Sequence, residues 1–318
     1  MRITRFYTSD LPHLSNCPAE ALPFHCELLS KQQTLSEEAV MRAARAESVE
    51  QDKVGTMREG VLAQKHLLFG QDDTPTNYDL NMGLAGAGGW RTPRHRHNFD
   101  QIRYVIKGQL PYGENLVLPE GCIAYFPESV PYGPQDRAEG LETMVLQFGG
   151  ASGQGYLSVA QREAANAELN KKGTFKSGMF NYTDENGNAQ SVDGSAACFE
   201  QATGQKLEFA PPRYTDVIAM NPDAFEWKTE EGGVYTKTLG VFTERAARIT
   251  FVKLDPEASY KGGAKDSIEI LFQTKGRVLV DNVTYDRHSA FEFLPDEGPV
   301  AMRAVEPAEF ISMVLHKF

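Results

Sequence analysis

Two imidazoles, His95 and His97, stand one residue apart in the stretch GWRTPRHRHNFDQIRYVIKG at 89–108. Side chains two positions apart on a strand point to the same side, so both can face one interior. Imidazole pairs suit zinc, iron, nickel, copper or manganese. Two imidazoles with an oxygen donor and open positions form the general site of a non-haem iron oxygenase. Gln101 follows on the same stretch, and a turn at 98–100 that starts the next strand brings its amide alongside. It is a candidate third ligand, or a group that hydrogen-bonds to a ligand. Arg103 lies two residues beyond Gln101 and shares its strand face. An inward arginine beside a metal is costly unless paired, which suits a carboxylate or phenolate substrate. A bulge turning Arg103 to solvent is the alternative.

The elements that must position these residues are mostly strands. From Val61 onward the chain reads as short apolar runs cut by Gly, Pro, Asn and Asp, with strands near 61–69, 78–84, 100–107, 122–126 and 141–148. A second block follows near 215–220, 233–242, 247–254, 268–273, 277–281, 290–294 and 308–317. Many short strands at regular spacing predict an all-β sandwich or barrel. Two helices are expected. One runs from Thr34 to about Asp52, with Thr34 or Ser36 as cap and Val40, Ala43, Ala44 and Val49 at helical spacing; the other covers 156–172 as a connector. Residues 173–214 read as loop, with the polar stretch TDENGNAQSVDGS at 183–195. The implied layout is an N-terminal segment at 1–55, a first barrel at 56–152, a connector at 153–214 and a second barrel at 215–318.

The two β-blocks repeat one another. A constant offset carries IRYVIKG at 102–108 onto ILFQTKG at 270–276, and AYFP at 124–127 onto EFLP at 292–295. MVLQF at 144–148 meets MVLHKF at 313–318 after one extra residue. The same offset puts Gly263 and Lys265 where the histidines stand, Glu269 at the Gln101 position and, at the other end, Val300 opposite Tyr132. The second barrel is therefore expected to hold no metal.

The spacing G-x5-H-x-H-x3-Q-x6-G from Gly89 to Gly108 resembles the first motif of the cupin family, with Gln101 where the family usually has Glu. GCIAYFPESVPYG from Gly121 resembles the second motif: Gly121 and Pro127 match, Ser129 replaces a Gly and Tyr132 replaces the third His. The resemblance implies two jelly-roll barrels in one chain, a bicupin, with one altered metal site in the first. Tyr132 would then be a ligand, a general acid or base, or a tyrosine lining the mouth. Trp90, Arg103, Tyr112 and Phe126 are expected in the substrate pocket, with Arg94 and Tyr104 as further mouth candidates. The implied cofactor is a divalent metal, iron(II) favoured, with manganese, nickel or zinc as alternatives. Bicupins of this layout include quercetinase-like and ring-cleaving dioxygenases. The resemblance thus implies an oxygenase acting on a small aromatic or enolic substrate. Two alternatives remain: a non-redox lyase, isomerase or decarboxylase, and a metal-free binding module. The family's habit of pairing barrels implies a homodimer.

Composition narrows the partners. The chain has 318 residues, 41% hydrophobic and 24% charged, with a net charge of -11. These values suit a soluble globular protein with a small-molecule substrate and argue against a nucleic-acid partner. No run approaches the ~20 apolar residues that span a bilayer. Cys17, Cys26, Cys122 and Cys198 lack metal-type spacing and read as reduced thiols of a cytoplasmic protein.

Overall fold

A strand that feeds one side chain into a barrel and the next against a neighbouring barrel needs two different faces, and the Phe99–Lys107 strand has them. Ile102, Tyr104 and Ile106 pack in a cluster that includes residues of the second β-block, whereas Val105 belongs to the interior of the first. Gln101 and Arg103 share the interior side and are buried. The computed structural model describes residues 41–54, 59–295 and 299–318.

Two large antiparallel sheets carry the architecture. The first runs, in spatial order, Ile218–Met220, Ile123–Phe126, Phe99–Lys107, Glu142–Gly149, Tyr78–Thr92, Glu59–Phe69 and Asp52–Val54, with Gln135–Arg137 pairing on the far end of Tyr78–Thr92. The second runs Arg42–Arg45, Ser289–Phe293, Glu269–Lys275, Ala308–Val314, Ala247–Leu254, Val234–Phe242 and Lys228–Thr229. The two orders superpose strand for strand, so the repeat seen in the sequence is a repeat of topology. Smaller sheets close each barrel: Gln109–Gly113 with Leu116–Pro119 in the first, and a four-stranded sheet that includes Val278–Val280 and Val300–Ala304 in the second.

Each large sheet takes its outer strand from the other half of the chain. Arg42–Arg45 precedes the first barrel but pairs with Ser289–Phe293 of the second. Ile218–Met220, expected to open the second block, pairs instead with Ile123–Phe126 of the first. This corrects the helix expected over 34–52. Among the described part of that span the chain forms the Arg42–Arg45 strand, a single 3-10 turn at Ala46–Ser48 and the start of the Asp52–Val54 strand. Residues 34–40 lie outside the described residues. An open sheet edge offers the backbone a full ladder of hydrogen bonds, which outweighs a weak helical pattern.

The faces between the sheets bury Ile102, Tyr125, Met144, Leu146, Ile249, Phe251, Phe272, Ile311 and Met313 in one continuous cluster. The second barrel's interior is a separate apolar core of Val252, Leu271, Phe291, Phe293, Met302 and Phe310.

The connector is more structured than the sequence suggests. Its expected helix occupies Val159–Leu169, started by a capping box of Ser158 and Gln161. Three short strands, Gly173–Lys176, Met179–Thr183 and Ala189–Asp193, and a second helix, Gly194–Thr203, replace the expected loop. Asp193 caps that second helix through the amides of Ser195 and Ala196, and Gly204 ends it in the left-handed conformation. Cys122 and Cys198 are free thiols. Among the described residues no helix is long and apolar enough to cross a membrane.

Candidate active site

The long Tyr78–Thr92 strand delivers the chain to the histidines. Gly89 allows it to close against the Gln135–Arg137 strand: its φ is 75°, and a Cβ there would lie 2.3 Å from the carbonyl oxygen of Arg137. His95 then pairs with Tyr132 through two backbone hydrogen bonds, of 3.0 and 2.9 Å. Ser129, which stands at the expected glycine position, has a φ of 66° and donates its amide to the carbonyl of His97 at 2.8 Å. The degenerate second motif thus keeps the turn of the first-rank pattern while changing its side chains.

Six of the singled-out side chains meet. The Tyr132 oxygen is 3.0 Å from His97 Nε2, 3.1 Å from Gln101 Nε2 and 2.7 Å from an Arg103 terminal nitrogen. The His95 ring packs on Tyr132, with centroids 4.6 Å apart, and meets the His97 ring edge-on at 4.9 Å. Phe126 packs edge-on against Tyr132 and lies under the Arg103 guanidinium, 4.5 Å from its centre. Tyr112 stands behind Phe126 at 6.2 Å rather than at the histidines. Trp90 is buried opposite Arg137 in the strand register. Arg94 is exposed. Tyr104 is turned away from the mouth: it packs on Phe251 between the two sheets.

Hydrogen-bond accounting fixes the protons. Arg103 donates from Nε and a terminal nitrogen to Gln101 Oε1, at 3.0 and 2.6 Å. The Gln101 oxygen must face the guanidinium, so its amide nitrogen faces Tyr132. Gln101 thus spans arginine and phenol, with its oxygen on Arg103 and its amide nitrogen on Tyr132. The Tyr132 oxygen accepts from both Arg103 and Gln101, so its own hydrogen is directed at His97 Nε2. His95 Nδ1 lies 2.7 Å from the carbonyl of Pro93, which makes Nδ1 the protonated nitrogen and leaves the lone pair on Nε2.

The donor set admits a divalent ion. The two imidazole rings meet edge-on at 4.9 Å, and the Pro93 carbonyl orients His95 through Nδ1 as carbonyls orient metal ligands elsewhere. The 3.0 Å between His97 Nε2 and the Tyr132 oxygen also matches the spacing of adjacent ligands around an ion with bonds of about 2.1 Å. Among the described residues no three His, Cys, Asp or Glu come together, so a third protein donor beside the two imidazoles would have to be a phenol or an amide.

Two residues of the interior escaped the sequence reading. Gln135, 2% exposed, accepts from Arg103 at 3.1 Å and from Arg137 at 3.0 Å, and donates to the carbonyl of Pro111. Gln135-x-Arg137 repeats the Gln101-x-Arg103 pattern on another strand, and that repetition was the signal to find them. Gln147, directly opposite Gln101, accepts from Tyr156 at the base of the connector. The matching interior positions of the second barrel carry no such set. Leu271 stands in register for Arg103 and is fully buried, and Glu269 is satisfied by Gly263, Ser312 and Tyr260.

No family model and no curated protein matches the sequence. Solved structures do. A candidate dioxygenase from Nostoc punctiforme matches with a TM-score of 0.56 at 12% identity, over 87% of this chain and 83% of that one. Streptomyces albus HEPD, solved with 2-hydroxyethylphosphonate and Fe(II) bound, matches with a TM-score of 0.51 at 12% identity, over 87% of this chain and 76% of that one. Two topologically repeated antiparallel barrels and these neighbours show that the chain has the all-β, jelly-roll type of fold that it shares with them.

Proposed function

We propose that the first barrel is the active site of a metal-dependent enzyme, and that it acts on a small anionic aromatic or enolic molecule. The observation that carries this reading is the convergence of His97, Gln101 and Arg103 on the Tyr132 hydroxyl, with His95 packed alongside, in a barrel whose twin is filled with apolar side chains. A divalent ion held by His95 and His97, iron(II) in preference to manganese, nickel or zinc, would supply the activation of O₂ and of the substrate oxygen.

The chain's own residues have separable tasks. Arg103 attracts the negative oxygen of the substrate and holds it beside Tyr132. Tyr132 would give its hydrogen to a developing oxyanion, with Arg103 and Gln101 holding its oxygen in place. Val105, Leu110, Leu118 and Phe126 enclose the site in apolar surface, which strengthens the field of Arg103 and excludes bulk water.

Oxygen uptake by iron-loaded protein, screened over phenols and enolic acids, tests the reading. Uptake with at least one substrate should be abolished by His95→Ala. It should fall by about 10²–10⁴ in kcat in Tyr132→Phe. A protein inert toward O₂ with every substrate would sink the oxygenase assignment. The Tyr132 phenol itself favours a second reading, because proton transfer from it needs no oxidant. Turnover that persists without oxygen, or with zinc or manganese in place of iron, would assign a lyase or isomerase. A cytoplasmic homodimer without nucleic-acid or membrane partners completes the proposal.

A further inference from the structure

Two guanidinium groups lie inside the first barrel, Arg103 at 4% and Arg137 at 7% exposure. Every hydrogen bond they make among the described residues is to a neutral group. Arg103 donates to Gln101, Tyr132 and Gln135; Arg137 donates only to Gln135. The Nε of Arg137 is buried with no acceptor. Burial, and then the charge of Arg103, push the Arg137 guanidinium down to about 9, so it is still protonated at neutral pH.

Buried charges are ordinarily paired, and breaking such a pair is costly because it strands one of them. Here two like charges share a single acceptor, Gln135 Oε1. An apolar barrel needs neither arginine for packing, as the twin shows with Leu271 in place of Arg103. A cavity of about 510 Å³, lined in part by Thr92, Pro93, Pro111 and Gln135, borders the glutamine that bridges the two arginines. The charged residues on its walls are Glu59, Arg91 and Asp136, the last two paired with each other at 3.1 Å. Pro93, whose carbonyl orients His95, borders the same cavity.

We propose that Arg103 and Arg137, bridged by Gln135, are the receptor for a small dianion. One oxyanion group rests on Arg103 beside Tyr132 and the second on Arg137. This names the substrate class of the site proposed above and rests on that reading for the position next to the histidines. The receptor itself needs neither metal nor turnover. Arg137 is a specificity residue rather than a catalytic one: its one side-chain acceptor among the described residues is Gln135, and it makes no hydrogen bond to Tyr132. Dicarboxylates and phosphoryl anions share the required chemistry.

Calorimetric titration of the chelator-treated full chain at pH 7 with malonate, phosphate and acetate tests this. Malonate or phosphate should bind at least tenfold tighter than acetate, and the tighter of the two tells which oxyanion the receptor takes. Arg137→Met should bring malonate and phosphate affinity down to that of acetate. The same variant without ligand should unfold at the same or a higher temperature than wild type, because it removes an unpaired buried charge. A purely structural arginine would instead lower it. Should the methionine variant fail to fold, Arg137→Lys must still lose tenfold in dianion preference, since an ammonium cannot reproduce the guanidinium fork. Equal binding of all three anions by wild type, or a preference that survives in both variants, would overturn the proposal. Loss of metal binding in His95→Ala with the preference intact leaves the receptor standing on its own. A metal-competent wild type without the preference sinks the receptor alone.

Discussion

At the residue scale, the site and its surroundings separate groups that work as neutral species from those that work as ions. His288 is the clearest neutral case. Burial, and then the neighbouring charge of Arg287, hold its imidazole down at about 4, and its ring stacks on Phe272. The unfolded chain binds a proton near the ordinary value of about 6.5. Between those two values the unfolded state therefore holds more protons than the folded one, and stability falls as pH drops from about 6.5 toward 4. His288→Asn should flatten that part of the stability–pH curve. Asparagine tolerates the φ of 68° found there, so the change removes the titration without straining the turn. Urea unfolding at pH 7, 6 and 5 checks it: wild type loses more stability on acidification than the variant does. The histidines of the site were legible because their spacing and their frame of glycines are local in sequence. Gln135 and Arg137 were not, because they meet Arg103 only through strand pairing and follow a second motif with little left to recognise.

At the scale of elements, the exchanged outer strands decide how the barrels are held. Arg42, on the strand given to the second sheet, forms an ion pair with Glu292, a carboxylate only 1% exposed that also accepts from Tyr78 at 2.5 Å. Tyr78 starts the strand that leads to the histidines, so one carboxylate ties the exchanged strand to the first barrel. Arg42→Ala leaves Glu292 with the phenol but without a cation. We expect a loss of about 2 kcal/mol in urea unfolding, the range of a hydrogen bond to a charged group. Glu292→Gln in the same background should recover part of it by removing the stranded charge. The strands at 247–254 and 269–275 were readable from alternation and β-branched content, whereas the Arg42–Arg45 strand was not. Its few residues carry a weak helical pattern, and only the open edge of a distant sheet makes a strand of them. The Gly194–Thr203 helix was hidden for a different reason: the polar run before it reads as loop, although its last acid, Asp193, is the helix cap.

At the scale of the molecule, the duplication has produced division of labour. One barrel keeps a polar interior and the other an apolar one, and the faces between them share a single buried cluster. His316, near the end of the chain, is buried against Asp100, which precedes Gln101 on the site strand. With strands exchanged in both directions and this contact between them, the barrels should unfold together. Scanning calorimetry should give one transition, and Phe251→Ala, which removes about 3–5 kcal/mol of packing from the shared cluster, should move it without splitting it. Two separated transitions would show that the barrels are independent.

If His95 and His97 form one metal site per chain and the second barrel none, elemental analysis of natively purified protein should find about one divalent ion per chain. That ion should be lost in His95→Ala and in His97→Ala and kept in Lys265→Ala, which alters the matching position of the second barrel. A metal content near zero in the wild type, or one that survives both histidine substitutions, would contradict it.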